Sequence, residues 1–181
     1  MDYIIRKATL GDRPAIEDLI KASARRLSRG DYSERQIEAA VATVFGVDTN
    51  LIQDETYFVA DCNGVLVGCG GWSKRRTLFG GDQYADRDAG ELDPRTEHAK
   101  IRAFFVHPEH ARKGIGRAIL SVCESEARAR GFRSLELMAT LPGLKLYRAC
   151  GYEGDERVEY EIGDGVRIEF VPMRKDLQQA D

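Results

Sequence analysis

The sequence has little that would place it in a membrane, on a nucleic acid or in an oxidising compartment. No apolar run approaches the roughly 18 residues of a membrane span. Met1-Asp2-Tyr3-Ile4-Ile5-Arg6 lacks the layout of a secretory signal, so a cytoplasmic protein is expected. Neither sign of charge dominates: 27 Lys and Arg are interspersed with 30 Asp and Glu over 181 residues, for a net charge of −3. That balance supplies no basic field of the kind nucleic acid attracts. Cys62, Cys69, Cys123 and Cys150 form no C-x-x-C pair and read as reduced core thiols. His107 and His110 flank Pro108-Glu109 without further His or Cys at ligand spacing, so no metal is expected. Repeats, linkers and low-complexity tracts are absent too, and the length suits a single domain over residues 1–181.

What the sequence does have is concentrated between Ile101 and Gly131. Ile101, Ala103, Phe104, Phe105 and Val106 form an apolar run of strand length, and Pro108 ends it because proline has no N–H for a ladder. A polar corner and Gly114-Ile115-Gly116 follow. Ile115, Ala118, Ile119, Val122, Cys123 and Ala127 then recur at helical spacing until Gly131 stops the helix. A buried strand therefore feeds a helix with two glycines at its start. The first amides of a helix have no partner inside it, and the helix dipole makes them a site for an anion, which glycine lets come close. Arg112, Lys113 and Arg117 add positive charge around the turn. A dinucleotide fingerprint would need a third glycine where Ile119 stands, and a P-loop would need four residues between its glycines followed by Lys-Ser or Lys-Thr. Neither spacing is present.

The segment F-F-V-H-P-E-H-A-R-K-G-I-G-R-A-I-L strongly resembles the acetyl-coenzyme A motif of the GNAT family of N-acetyltransferases. One position departs from the family pattern: Ala111 stands where Gln or Arg is usual, and Arg112 follows it.

The rest of the chain reads as a layered α/β domain. Tyr3 to Lys7 alternates as a strand, Asp12 caps a first helix, and a second begins near Ser33 and closes at Gly46. Thr56–Ala60 and Val65–Cys69 form a hairpin around Asn63-Gly64. Gly68, Gly70 and Gly71 indicate a bulge or a close approach, or a strand end running into a loop. Ser73–His98 has no period. Its basic start (Lys74, Arg75, Arg76) and acidic part (Asp86, Asp88, Glu91, Asp93) either line an acceptor site or form a solvated loop. Arg133–Ala139 is a strand, Pro142 starts a short helix ending at Gly151, and Tyr152–Ile162 and Val166–Met173 are two closing strands. Beyond Leu177 a disordered tail is expected. The order gives a mixed sheet of about seven strands with helices on both faces. It resembles the GNAT acyl-CoA N-acyltransferase fold, whose sheet is mostly antiparallel.

The resemblance implies a chemistry. Acetyl-CoA would lay its pantetheine arm along Phe104, Phe105 and Val106 and its phosphates on Arg112, Lys113, Gly114, Ile115, Gly116 and Arg117. L-Y-R-A-C-G-Y at Leu146–Tyr152 resembles the family's second signature, which makes Tyr147 the acid that protonates the departing thiolate. Thr140 occupies the place of a frequent Asn. Glu136 resembles a glutamate base of several relatives, or is a glutamate on a partly wet strand or salt-bridged to a helix arginine, and Glu97 and His98 are alternatives. The implied activity is direct acetyl transfer to a primary amine of a small molecule or peptide, with a non-catalytic acyl-CoA sensor as the rival. The last strands would allow a homodimer.

Overall fold

The computed structural model describes residues 2–84, 88 and 90–177. Asp86 and the tail beyond Leu177, expected to be disordered, lie outside the described residues. Strand β1, Ile4–Lys7, leads through a 3-10 turn into α1, Arg13–Leu27, which buries Ile16, Leu19, Ile20 and Ala24 at helical spacing. Asp12 stands at the head of α1 without capping it. Its carboxylate instead takes the Arg6 guanidinium at 2.8 Å and the Thr9 amide at 2.7 Å. Ser33 does cap α2, Glu34–Thr43, in a reciprocal box with Gln36. A helix the sequence pattern did not show, α3, Thr49–Gln53, follows and is capped by Asp48.

Strands β2, Tyr57–Cys62, and β3, Val65–Ser73, form the expected hairpin. Next come β4, Ala99–Val106, α4, Ile115–Ala129, β5, Ser134–Thr140, and α5, Leu144–Ala149. Only Val158–Glu161 of the long strand expected after Tyr152 forms β6, and β7 is Arg167–Asp176. The stretch before β6 carries Gly154 and forms an isolated bridge to β7, Glu153 with Arg174. The sheet runs β1-β2-β3-β4-β5-β7-β6. Every neighbouring pair is antiparallel except β4 and β5. One face carries a core with α1, α2 and α3, and the other a core with α4 and α5. Among the described residues no helix is long and apolar enough to cross a membrane.

Two features of β4 decide where space opens. It pairs with β5 only at Ala99 with Leu135 and Lys100 with Glu136, after which the two strands part. Against β3 its register slips by one residue, because Cys69 faces Phe105 while Gly71 faces Arg102. The extra residue lies at Ala103, whose φ of 53° is left-handed, and its carbonyl accepts the Tyr57 hydroxyl at 3.2 Å.

The close approach signalled by the β3 glycines is real. A Cβ on Gly68 would lie 2.5 Å from Ile115 Cγ2, so the missing side chain lets the start of α4 settle on the sheet. Gly68→Val should therefore cost about 1–3 kcal/mol by overpacking. Urea unfolding checks this, and an unchanged midpoint would show that the contact is dispensable.

Candidate functional site

Where β4 and β5 part, a cavity of about 480 Å³ opens. Phe104, Phe105 and Val106 of β4 form one wall, and Thr140 at the end of β5 and Tyr147 of α5 form the other. The α4 turn closes one end with Arg112, Gly114, Ile115, Gly116 and Arg117, and Ser23 and Ala24 of α1 also reach the cavity. The turn is built for close approach. Gly114 sits at φ 85° with nothing within 4 Å of where a Cβ would be, while a Cβ on Gly116 would come 3.0 Å from Leu146. Lys113 alone of the expected donor-binding residues does not line this cavity, and its ammonium donates to the Glu109 carbonyl at 2.9 Å.

Tyr147 is 8% exposed, with its ring edge-on to Phe104 at 6.4 Å and to Tyr152 at 5.9 Å. Burial is the main cause that pushes its phenol well above the ordinary tyrosine value, with nearby Cys123 and Cys150 adding to it. The hydroxyl is therefore protonated across the physiological range. Thr140 is held in place from outside. The Leu141 amide donates to the Tyr32 hydroxyl at 2.9 Å, and that hydroxyl donates to the Glu169 carbonyl at 2.6 Å, which ties the α1–α2 connection to β5 and β7. Burial raises the Tyr32 phenol to about 12.

A second cavity, of about 80 Å³, shares Phe45, Phe104, Phe105, Thr140 and Tyr147 with the first. Its other walls include Phe79, Arg102, Met138 and Phe170. Behind it lies a charge pair the sequence reading missed. Arg102 meets Asp48 at 2.7 Å with side chains 2% and 0% exposed, and it also donates to the Gly80 carbonyl. An arginine inside the otherwise apolar run Ile101–Val106 was the available signal. Asp48 thus serves both as the cap of α3 and as the counter-charge of β4.

Other expected candidates are engaged elsewhere. Glu136 lines neither cavity. The parallel register sets it opposite Lys100 of β4, whose ammonium donates to its carboxylate, and not against a helix arginine. Glu97 pairs with Arg76 at 3.0 Å, and His98 Nδ1 shares a hydrogen bond with Ser134. Lys74 pairs with Glu91 at 2.8 Å and Arg75 with Asp54 at 2.7 Å, so the basic start of the long connection is used in pinning it down. Among the described residues of that connection, Leu78–Gly81 line the second cavity. All four cysteines are free thiols.

Residues 18–152 match the acetyltransferase (GNAT) family model. The chain belongs to the GNAT family. No curated protein sequence matches it. Among solved structures, a GCN5-related N-acetyltransferase from Rhodopseudomonas palustris is 22% identical and superposes with a TM-score of 0.72 over 98% of this chain and 97% of its own. PaiA N-acetyltransferase from Thermoplasma acidophilum, solved with coenzyme A, is 18% identical at a TM-score of 0.67 over 98% and 100%. YncA from Salmonella typhimurium, a putative acetyltransferase by its description and solved with acetyl-CoA, is 19% identical at 0.65 over 100% and 97%. These likenesses show that the GNAT fold spans the chain.

The buried pair carries a prediction about stability. Arg102→Met should cost about 3–5 kcal/mol in urea unfolding, because it breaks a buried ion pair by removing one member. Arg102→Met with Asp48→Asn should recover part of that loss. A single variant within about 0.5 kcal/mol of wild type would contradict the pairing.

Proposed function

We propose that this GNAT chain is one acetyl-CoA-dependent N-acetyltransferase domain that transfers the acetyl group directly to a primary amine. The observation that carries the reading is a buried, neutral tyrosine in the wall shared by two cavities, one of which ends at an anion-binding helix start. The residues present fit the donor. Arg112, Arg117 and the amides of the α4 turn would hold its pyrophosphate, and Gly114 and Gly116 leave room for it. Beyond Lys100, the edge of β4 that faces β5 is free of strand pairing and would bond the amides of the pantetheine arm. The solved coenzyme A and acetyl-CoA complexes of two proteins with this fold support the choice.

Bound acetyl-CoA would supply a thioester, whose acyl carbon the amine attacks. In this reading Tyr147 Oη gives its proton to the sulfur as the C–S bond breaks. Burial disfavours a thiolate in the same site as it disfavours the phenolate, which strengthens the sulfur's demand for a proton. Among the described residues no Asp or Glu lines either cavity. In this reading the amine enters already neutral, having lost its proton to water, and Glu136 stays with Lys100. The rival reading is an acyl-CoA sensor without turnover. A phenol kept protonated beside the donor cavity weighs against it.

Thiol release from acetyl-CoA in the presence of primary amines tests the reading. Tyr147→Phe should lower kcat by about 10²–10⁴-fold while acetyl-CoA still binds. Wild-type kcat/KM should rise with pH as the amine deprotonates, with no fall from Tyr147 below about pH 10, since burial moves the phenol upward from its ordinary value. Binding without release on any amine of the panel would favour the sensor. Equal rates for both proteins would remove Tyr147 from the chemistry.

A further inference from the structure

The Tyr32 hydroxyl stands where β5 leaves the sheet. Thr140 and Phe170 form the last pair between β5 and β7, and the same register continued would set Leu141 opposite Glu169. The Leu141 amide instead donates to Tyr32 Oη at 2.9 Å, and Oη donates to the Glu169 carbonyl at 2.6 Å. A side chain from the α1–α2 connection thus takes the place of a rung, satisfying both backbone groups while keeping the strands apart. Tyr32 is buried, and burial raises its phenol to about 12, so the hydroxyl keeps the proton that the bridge needs.

From that bridge a short path leads to the acid. The Leu141 carbonyl accepts from the Leu144 amide, where the 3-10 turn Leu141–Gly143 runs into α5. The Leu141 side chain packs against the cores on both faces of the sheet. A Cβ on Gly143 would come 3.0 Å from Tyr147 Cε2 and 3.3 Å from Thr140 Oγ1, so the turn backbone lies close against both side chains. Phe104 and Tyr152 meet the Tyr147 ring edge-on. Resting on the reading of Tyr147 as the acid, we infer that Tyr32 is a positioning residue for it, acting through the Leu141–Gly143 turn. Tyr32 lines neither cavity, so its effect is on where the Tyr147 hydroxyl stands.

Proton transfer is sensitive to that position, since a misplacement of about 1 Å can cost about 10²-fold in rate. Without Oη, the Leu141 amide and the Glu169 carbonyl either stay buried and unpaired or close directly on each other. Closure draws the turn towards β7, and an unpaired amide loosens it. In both cases Gly143 moves relative to the ring. Gly143→Ala acts on the same contact without touching the bridge. The Gly143 φ of −78° suits alanine, so the backbone stays unstrained while the added methyl presses on Tyr147 and Thr140.

The test is a double-mutant cycle on kcat for thiol release from acetyl-CoA by the full chain. Hydroxylamine, a small nucleophile largely unprotonated at neutral pH, is the acceptor probe, and acetyl-CoA binding is followed by calorimetry. Tyr32→Phe should lower kcat about tenfold with acetyl-CoA affinity changed by less than about twofold, and Gly143→Ala should lower kcat in the same direction. In the Tyr147→Phe background either substitution should change kcat by less than about twofold, because no hydroxyl is left to misplace. Wild-type kcat in Tyr32→Phe, a loss confined to acetyl-CoA affinity, or losses that multiply with that of Tyr147→Phe would overturn the inference. If urea unfolding shows that Tyr32→Phe does not fold, Gly143→Ala carries the cycle and the same outcomes decide. If wild type releases no thiol, or Tyr147→Phe matches it, the acid assignment has failed and this inference falls with it.

Discussion

The parallel contact between β4 and β5 lasts for two residue pairs and then gives out, and the rest of the site follows from that short contact. Two strands in one sheet normally continue side by side because every N–H and C=O needs a partner. Here β5 stays with β7 as far as Thr140, while β4 stays with β3 and takes up an extra residue at Ala103. The strands are pulled apart by their other neighbours. The wedge between them is a preformed slot with a free backbone edge, closed at one end by the start of α4. Gly68 matters for the same reason, since it lets α4 lie close enough on the sheet to bring its first turn to the slot.

Several ion pairs hold the frame. Lys100 with Glu136 fastens the last point at which β4 and β5 touch, and Arg102 with Asp48 joins β4 to the head of α3. Arg75 and Arg76 pin the long β3–β4 connection to Asp54 and Glu97. Positive charge is left on the cavity wall at Arg112 and Arg117, where an anion would sit. Phe104, Phe105 and Tyr147 lie between that turn and the rest of the second cavity, and burial keeps the Tyr147 phenol protonated.

Much of this was legible in the chain, for physical reasons that differ by element. The strand, glycine turn and helix from Ile101 to Gly131 are local, and each part has its own residue pattern, so they were readable with the ligand class they suit. The Asn63-Gly64 hairpin was equally plain. Helix α3 was not, because five residues are too few to show a period. The stretch after Tyr152 alternates like a strand, yet only Val158–Glu161 pairs as β6. Glu136 is instructive: its alternation placed it correctly on a strand, but what it faces depends on the register with β4, which no local pattern encodes. The second cavity was least legible of all. Phe45, Phe79, Arg102, Met138 and Phe170 come from separate stretches and meet only through the sheet order.

The measurement that bears most directly on this account is calorimetric titration of acetyl-CoA into the wild-type protein and into the Arg112→Ala, Arg117→Ala double variant. If the slot and the α4 turn hold the donor, wild type binds with a micromolar dissociation constant. The double variant should then bind about tenfold or more weakly, because two charge-assisted contacts to phosphate are lost. Equal affinity in the two proteins would place the phosphates somewhere other than the turn. No heat of binding in wild type would contradict the account at its root.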